Sequence, residues 1–260
     1  KDGPLCAEQM LYAACFAAMA RISEQLGKDG SSYRCEYENL TATIEKFFWD
    51  EEKGAYIDSF TSGRRNVTRH ANIFAVLFSI ADAAKQEKIL ANVLENDAIP
   101  AITTPYFNFF ELDVLCQMGR LDVVLDKLRS YWGGMLDLGA VTFWEEYDPS
   151  VPKEEQYDMY GDHFGKSLCH AWAASPIYFL ARYFVGLDLV NKEGEAYVLR
   201  PQLQYFTDLD CTLPVGDHGT VRLVWDGEYL EVTADADGGI LELGEERISL
   251  ERGEVRRVKI

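Results

Sequence analysis

The chain has 260 residues and a mass of 29.5 kDa, and 48% of its residues are hydrophobic against 26% charged. This composition supports a buried core and excludes a disordered or collagen-like chain. With 43 acidic and 25 basic residues the formal net charge is −18, so a nucleic-acid backbone or an anionic membrane surface would repel the chain, and we expect neither as a partner. No apolar run in the sequence approaches the roughly 20 residues of a membrane-spanning helix.

The first part of the chain predicts a helical hairpin. Apolar residues recur at helical spacing over 7–26, where Gly27 ends the pattern, and a second helix is predicted over 32–48. The charged stretch that follows contains Gly54 and predicts a short extended segment or turn over 48–56.

More helices are predicted in neighbouring pairs up to residue 184. Their ranges are 69–84, 85–94, 104–118, 121–131 and 167–184, the last interrupted by Pro176. The intervening segment 132–166 is punctuated by Pro and Gly and is rich in aromatic residues. Helical pairs of irregular length without a fixed repeat favour a toroid of αα-hairpins over a solenoid.

The pattern changes after Gly186. Apolar and polar residues alternate over 220–225, 229–233 and 240–243, with Gly-containing turn signals between them. We therefore predict a small antiparallel β-sandwich from about residue 190 onward. The expected domains are 1–190 and 191–260, with the boundary near 191–194.

The cysteines and histidines give no sign of a metal site or a disulfide framework. No CxxC pair and no Cys/His ligand spacing occurs among Cys6, Cys15, Cys35, Cys116, Cys169 and Cys211 or the four histidines. We expect core-filling thiols, no metal and no cofactor. Scattered thiols and excess acidity fit a bacterial cytoplasm slightly better than an oxidising compartment.

Candidate chemistry concentrates in the loop 139–149. There Trp144 precedes Glu145, with Glu146 and Asp148 close behind. A carboxylate beside an indole loses hydration, which suits it for proton transfer, and aromatic rings with carboxylates are a typical carbohydrate-site composition. The alternative is that Trp144 anchors the core and the carboxylates form a solvated turn.

Further candidate residues also have a structural explanation. His170 lies in the predicted helix 167–184 with Trp172 nearby, and a lone histidine there is often a buried core residue. Tyr106 belongs to an aromatic stripe over 104–110 that could serve helix packing. His70 and Asn72, at the start of the predicted helix 69–84, could cap that helix or reach a cleft.

Six short strings together resemble the bacterial α-L-rhamnosidases of the six-hairpin glycosidase type, glycoside hydrolase family 78. In chain order they are Phe48-Trp49-Asp50-Glu51-Glu52-Lys53-Gly54, Arg69-His70-Ala71-Asn72, Thr104-Pro105-Tyr106-Phe107, Tyr131-Trp132-Gly133-Gly134-Met135, Thr142-Phe143-Trp144-Glu145 and Ser167-Leu168-Cys169-His170-Ala171-Trp172. The resemblance covers residues 5–186, and the segment from Leu199-Arg200-Pro201 onward is similar to the β module that follows the helical domain in that family.

The resemblance implies an (α/α)6 toroid of twelve helices and inverting hydrolysis of terminal α-L-rhamnosyl bonds. Glu145 matches the family's general base, and His170 matches a histidine that contacts the sugar. Trp144 is then expected to shape the sugar pocket, and Tyr106 to bind substrate. The implied partner is a rhamnose-containing oligosaccharide or glycoside.

One part of the family pattern is missing. The family's general acid lies in an Asp-rich, Arg-containing motif upstream, and no such motif precedes Cys6. The sequence also predicts only about seven of the twelve helices that a closed toroid requires. We therefore expect the chain to be the C-terminal part of a longer enzyme, inactive alone, with exposed apolar helix faces that the missing part or self-association would cover. The alternatives are a related toroid glycosidase acting on another sugar, and a non-catalytic carbohydrate-binding or interaction protein on a degenerate toroid.

Overall fold

The computed structural model describes residues 3–192 and 195–260, which form two compact units. The first unit comprises the chain up to Arg120 together with Glu145–Lys166, and the second comprises Leu121–Trp144 and Ser167–Ile260. None of the helices in these described ranges combines the length and apolar character needed to cross a membrane.

The helices lie in the first 184 residues. They are α1 (Cys6–Gln25), α2 (Ser31–Phe48), α3 (Arg69–Leu77), α4 (Ala83–Ile89), α5 (Pro105–Gln117), α6 (Leu121–Lys127), α7 (Gly133–Asp137) and α8 (Ser175–Phe179). One π-helical turn continues each of α4, α6 and α8, over Leu90–Leu94, Leu128–Trp132 and Leu180–Phe184.

The predicted hairpin of α1 and α2 is confirmed. The two helices pack together, and the connection approaches α1 so closely that a Cβ on Gly30 would lie 2.7 Å from the carbonyl oxygen of Ala20. The outer face of α1 keeps large apolar side chains in solvent, with Tyr12 56% and Leu26 65% exposed. Coverage of this face by another part of the protein or by a second copy stays a prediction.

A tight hairpin follows α2, where the sequence predicts a short extended segment or turn. Strands β1 (Trp49–Asp50) and β2 (Ala55–Tyr56) pair antiparallel, and the Asp50 carboxylate accepts hydrogen bonds from the backbone amides of Glu52 and Lys53. Burial raises the pKa of Asp50, but hydrogen bonds from Arg65 and these two amides outweigh it and hold the pKa below its ordinary value.

The predicted single helix 69–84 is wrong. Ser79 adopts a left-handed conformation with φ of 55°, and the amide of Ile80 closes on the carbonyl of Ala75 at 2.9 Å, which ends α3. Asp82 then caps α4 by accepting from the Lys85 amide at 2.9 Å. The apolar pattern runs through this break because residues of the connection, such as Ala81, are also buried.

Asn72 neither caps α3 nor reaches a cleft, contrary to both expectations. Its side chain is fully buried and fully hydrogen-bonded. The amide oxygen accepts from the backbone of Tyr56, and the amide nitrogen donates to the carbonyls of Tyr56 and Thr68, all at 2.9 Å. The side chain therefore joins β2 to α3, a backbone-like role that stabilises the hairpin from within the core.

The predicted helix 167–184 is also wrong in its first half. The backbone is irregular up to His170, forms a single 3-10 turn over Ala171–Ala173, and becomes α-helical only at Ser175. Pro176 occupies the first turn of α8, since a proline has no N–H to bond back and its ring clashes with the preceding turn. The indole N–H of Trp132 donates to the carbonyl of Ala173 at 2.8 Å and fixes this irregular segment.

The β module contains two four-stranded sheets. Their strands are β3 (Leu187–Lys192), β4 (Glu195–Leu199), β5 (Leu209–Pro214), β6 (Thr220–Trp225), β7 (Tyr229–Ala234), β8 (Gly239–Leu243), β9 (Glu246–Leu250) and β10 (Val255–Lys259). The orders are β10-β7-β6-β5 and β3-β4-β8-β9. The alternating segments predicted as strands are confirmed as β6, β7 and β8.

The sheets are not wholly antiparallel, because β4 and β8 pair in parallel. Residues of both sheets share one buried cluster, with Tyr197 and Leu241 from one sheet and Leu223 and Val232 from the other. The predicted boundary 191–194 includes residues 193 and 194, which lie outside the described residues, and the division into domains 1–190 and 191–260 stays a prediction.

The six cysteines are free thiols that range from buried to exposed, with Cys211 half-buried. Cys6 and Cys116 are buried, and burial, with Asp113 nearby, raises the pKa of Cys116 to about 12. In contrast Cys15, Cys35 and Cys169 are exposed, so core filling holds for only part of the set.

Candidate active site

Glu145 opens the segment 145–166 of the first unit. Only 7% of this residue is exposed, and its Oε1 accepts a hydrogen bond from the Tyr160 hydroxyl at 3.1 Å. A buried carboxylate with a fixed donor keeps one geometry, as a group that moves protons requires.

Tyr160 reaches Glu145 from the tip of a two-residue hairpin turn. The amides and carbonyls of Met159 and Asp162 bond each other in both directions at 3.0 Å, and Tyr160 and Gly161 between them have φ values of 55° and 82°. Positive φ at both central residues is the pattern of a type I′ turn. Glycine adopts this conformation freely, whereas for a tyrosine it costs on the order of 1–2 kcal/mol.

Four acidic groups of this segment act electrostatically on Lys166. Burial lowers the pKa of Lys166, and this effect is opposed by Glu146, Asp148, Asp158 and Glu145, in decreasing order. The hydrogen bond to Glu145, and then its charge, raise the pKa of the Tyr160 phenol above its ordinary value. The Tyr160 hydroxyl therefore remains a donor throughout the neutral range.

Gln156 holds this segment in place. Its side chain is 2% exposed and its amide nitrogen donates to the carbonyls of Asp148 and Val151 at 2.6 and 2.9 Å. On the surface nearby, His163 pairs with Asp158 at 2.5 Å. The segment thus has its own internal framework around Glu145, although it contains little regular secondary structure.

Trp144 and His170 lie in the second unit. Trp144 is 3% exposed, and the adjacent backbone of Phe143 accepts a hydrogen bond from the His170 amide at 2.8 Å. The Thr142 hydroxyl donates to the carbonyl of Leu168. These hydrogen bonds connect the segment Thr142-Phe143-Trp144 to the backbone around His170.

The imidazole of His170 packs against an indole rather than within a helix. Its ring centroid lies 4.2 Å from that of Trp172, with 39° between the planes. His170 is half-buried and Trp172 is 45% exposed, so the pair presents an aromatic surface to solvent. His170 is therefore not the buried core residue of a helix that the alternative explanation required.

Tyr106 lies at the first turn of α5, at the exposed edge of an aromatic cluster. It is 47% exposed and meets Phe110 edge-on at 5.6 Å, while Phe107 stacks 4.3 Å from the imidazole of His70. Burial lowers the pKa of His70, against the opposing charges of Asp58 and Glu111. The aromatic residues over 104–110 therefore do serve helix packing, while part of the Tyr106 ring remains exposed to solvent.

Tyr160 was not among the candidate residues chosen from the sequence. The only local signal for it was the Tyr160-Gly161 dipeptide, which favours a turn but gives no hint of a contact with Glu145. In the described part of the chain, no three His, Cys, Asp or Glu side chains gather closely enough to hold a metal ion. Within the first unit, Glu145 and Tyr160 provide a buried carboxylate and a phenol donor.

The sequence of this chain matches the model of the bacterial α-L-rhamnosidase six-hairpin glycosidase domain over residues 2–184. The chain belongs to this family. The match includes α1–α8 and the whole segment that contains Glu145, Tyr160 and His170. No curated protein matches the chain at a significant level.

Solved structures agree with this assignment. A rhamnosidase from Klebsiella oxytoca with rhamnose bound is 29% identical, with a TM-score of 0.59 over 68% of this chain and 34% of that one. A family-78 rhamnosidase of Bacillus sp. GL1 is 22% identical, with a TM-score of 0.75 over 93% of this chain and 26% of that one. The Streptomyces avermitilis α-L-rhamnosidase complexed with L-rhamnose is 19% identical, with a TM-score of 0.64 over 90% of this chain and 22% of that one.

At these identities the Bacillus and Streptomyces structures support the fold alone. The six-hairpin glycosidase domain covers the helical part of the chain, and the two four-stranded sheets follow it. This chain spans between about a fifth and a third of the length of the three solved proteins.

Proposed function

We propose that this chain carries the general base of an inverting α-L-rhamnosidase, and that this base is Glu145. The observation that supports it is the buried carboxylate of Glu145, held by the Tyr160 hydroxyl at 3.1 Å. By sequence resemblance, Glu145 matches the family's Thr-x-Trp-Glu base. Such a carboxylate can take a proton from water without first having to be ordered.

In the proposed reaction, Glu145 accepts a proton from a water molecule whose oxygen attacks the anomeric carbon of a terminal α-L-rhamnosyl residue. The bond between that carbon and the glycosidic oxygen breaks, and a carboxylic acid on the opposite side protonates the departing oxygen. The configuration at the anomeric carbon inverts, and the two carboxyl groups stand about 6.5–9.5 Å apart to leave room for the water.

The general acid is proposed to come from sequence outside these 260 residues. The family's acid motif is Asp-rich and contains an arginine, and it has no match in this chain. Glu146 is a poor substitute, because it directly follows Glu145 and is engaged electrostatically with Lys166. The chain would then supply one half of the acid–base pair.

The remaining candidate residues are proposed to contact the sugar. His170 and Trp172 form a ring pair with an exposed face, and Tyr106 offers an exposed ring. Trp144 is nearly fully buried, so its contribution would be to back the wall of the pocket rather than to present a large ring face. Such apolar walls with few polar groups are typical of small-molecule sites.

The test is hydrolysis of nitrophenyl α-L-rhamnoside by the 260-residue chain and by the whole protein that contains it. We expect turnover by the whole protein and a rate lower by about 10²–10⁴ or more for the chain alone, because a general acid contributes about this factor. A panel of other nitrophenyl glycosides is the control for sugar specificity.

Robust turnover by the chain alone would contradict an acid outside it. Preference of the whole protein for another glycoside would move the proposal to a different sugar. Calorimetric binding of rhamnose by the whole protein without any turnover would contradict catalysis and favour the non-catalytic alternative.

A further inference from the structure

The hydroxyl of Tyr160 donates a hydrogen bond to the carboxylate proposed as the base. We infer that Tyr160 is a positioning residue, which holds the Glu145 carboxylate in a single orientation for water activation. This inference rests on the proposed function of Glu145. It adds a residue that acts through the base rather than on the sugar.

The geometry of the turn supports this role. The 3.1 Å bond joins a residue that is 83% exposed to one that is 7% exposed, so the phenol ring lies at the surface while its hydroxyl reaches a buried oxygen. A tyrosine with positive φ is an uncommon choice for a hairpin turn, where Asn-Gly or Asp-Gly is usual. Strained positions of this kind cluster at functional sites.

Packing alone gives little reason for this residue. An exposed ring contributes little to a core, and a turn-forming residue without strain would close the same hairpin. What Tyr160 provides in addition is its hydroxyl. A donor to a carboxylate favours the ionised form, which is the form that accepts the proton of the attacking water.

Other charges act in the same segment. Lys166 interacts electrostatically with Glu145, and more strongly with Glu146, Asp148 and Asp158. Glu146 also acts on Tyr160, more weakly than Glu145 does. Removing the Tyr160 hydroxyl leaves all of these charges in place, so the change in acid–base behaviour reports on this one hydrogen bond.

The test is the pH dependence of kcat/KM for Tyr160→Phe in the whole, active protein. Loss of a hydrogen bond to the ionised form makes protonation easier, so we expect the acid limb to move up by about 0.5–1 pH unit, a 3- to 10-fold change in the protonation equilibrium. We also expect kcat at the plateau to fall several-fold with KM changed less than twofold. A purely structural role would leave the acid limb where it is.

Tyr157→Phe is the matched control, because it removes a phenol hydroxyl from the same segment, and its pH profile should follow the wild type. A second measurement needs no activity. In the 260-residue chain with labelled tyrosine ring carbons, the Tyr160 resonance, identified by its loss in Tyr160→Phe, should titrate at lower pH after Glu145→Gln.

An acid limb unchanged in Tyr160→Phe overturns the inference, and so does a Tyr160 titration that is indifferent to Glu145→Gln. If Glu145→Gln abolishes turnover while the acid limb of Tyr160→Phe stays in place, the inference fails and the proposed base stands. If Glu145→Gln retains full turnover, the proposed function fails and this inference fails with it.

Discussion

Glu145→Gln is expected to lower kcat of the whole protein by at least about 10²–10⁴-fold, because the substituted amide cannot accept the proton of the attacking water. Substrate binding should be almost unchanged, since Gln has the same shape and its oxygen can still accept from Tyr160. The expected signature is a collapse of kcat with KM nearly constant, measured on nitrophenyl α-L-rhamnoside. Rhamnose affinity by calorimetry provides the independent check on binding.

Glu146→Gln is the matched control for this experiment. It removes the neighbouring carboxylate of the same loop, which is only half-buried, and should leave kcat within a few-fold of the wild type. Equal losses in both variants, or full activity of Glu145→Gln, would be inconsistent with a specific role for Glu145.

Arg69→Met is expected to destabilise the first unit by about 3–5 kcal/mol, because it leaves a buried carboxylate without its cation. The Arg69 guanidinium is 7% exposed and pairs with Glu111, which is 5% exposed. It also donates to the carbonyls of Leu94 and Pro100, at 2.7 and 3.3 Å, and so joins α3, the segment after α4, and α5. The free energy of unfolding from urea denaturation measures the effect.

The controls separate burial from charge. Arg120→Met breaks the ion pair between Arg120 and Glu95, and both of these side chains are about one-third exposed. The free energy of unfolding should therefore fall by only about 1 kcal/mol or less. The double variant Arg69→Met with Glu111→Met should recover part of the loss, since no charge is then left buried. If Arg69→Met costs no more than Arg120→Met, the buried pair does not hold these helices together.

Secondary structure was predictable where a pattern is local and undisturbed. The spacing of apolar residues places α1, α2, β6 and β7 correctly, because each buries one face over its whole length. It fails at Ser79, where a left-handed residue ends a helix whose apolar period continues. It fails again before Pro176, where the backbone is irregular and apolar residues such as Leu168 and Trp172 are exposed.

Pairing between distant strands was less predictable. The alternation over 240–243 is the same for an antiparallel and for a parallel neighbour, so the sequence could place β8 but not its partner β4. Likewise Asn72 looked like a helix cap, because its bonds to the β1–β2 hairpin depend on tertiary structure 16 residues away in the sequence.

The candidate site shows the same division. Glu145 and His170 could be selected because they lie in strings that resemble a family, whereas composition alone left them open to other interpretations. Tyr160 could not be selected, since its contact with Glu145 exists only once the Tyr160-Gly161 turn has folded back across 15 residues. Its helical setting made His170 look like a core residue, and the loss of that helix in the structure removes this argument.

Proton NMR of the rhamnose first released from nitrophenyl α-L-rhamnoside by the wild-type whole protein tests most directly whether hydrolysis is inverting, as a general base at Glu145 requires. A base that delivers water to the face opposite the leaving group must produce the β-anomer first, before mutarotation mixes the two forms. Appearance of the α-anomer first would mean retention through a covalent intermediate, and Glu145 would then not be the base proposed here.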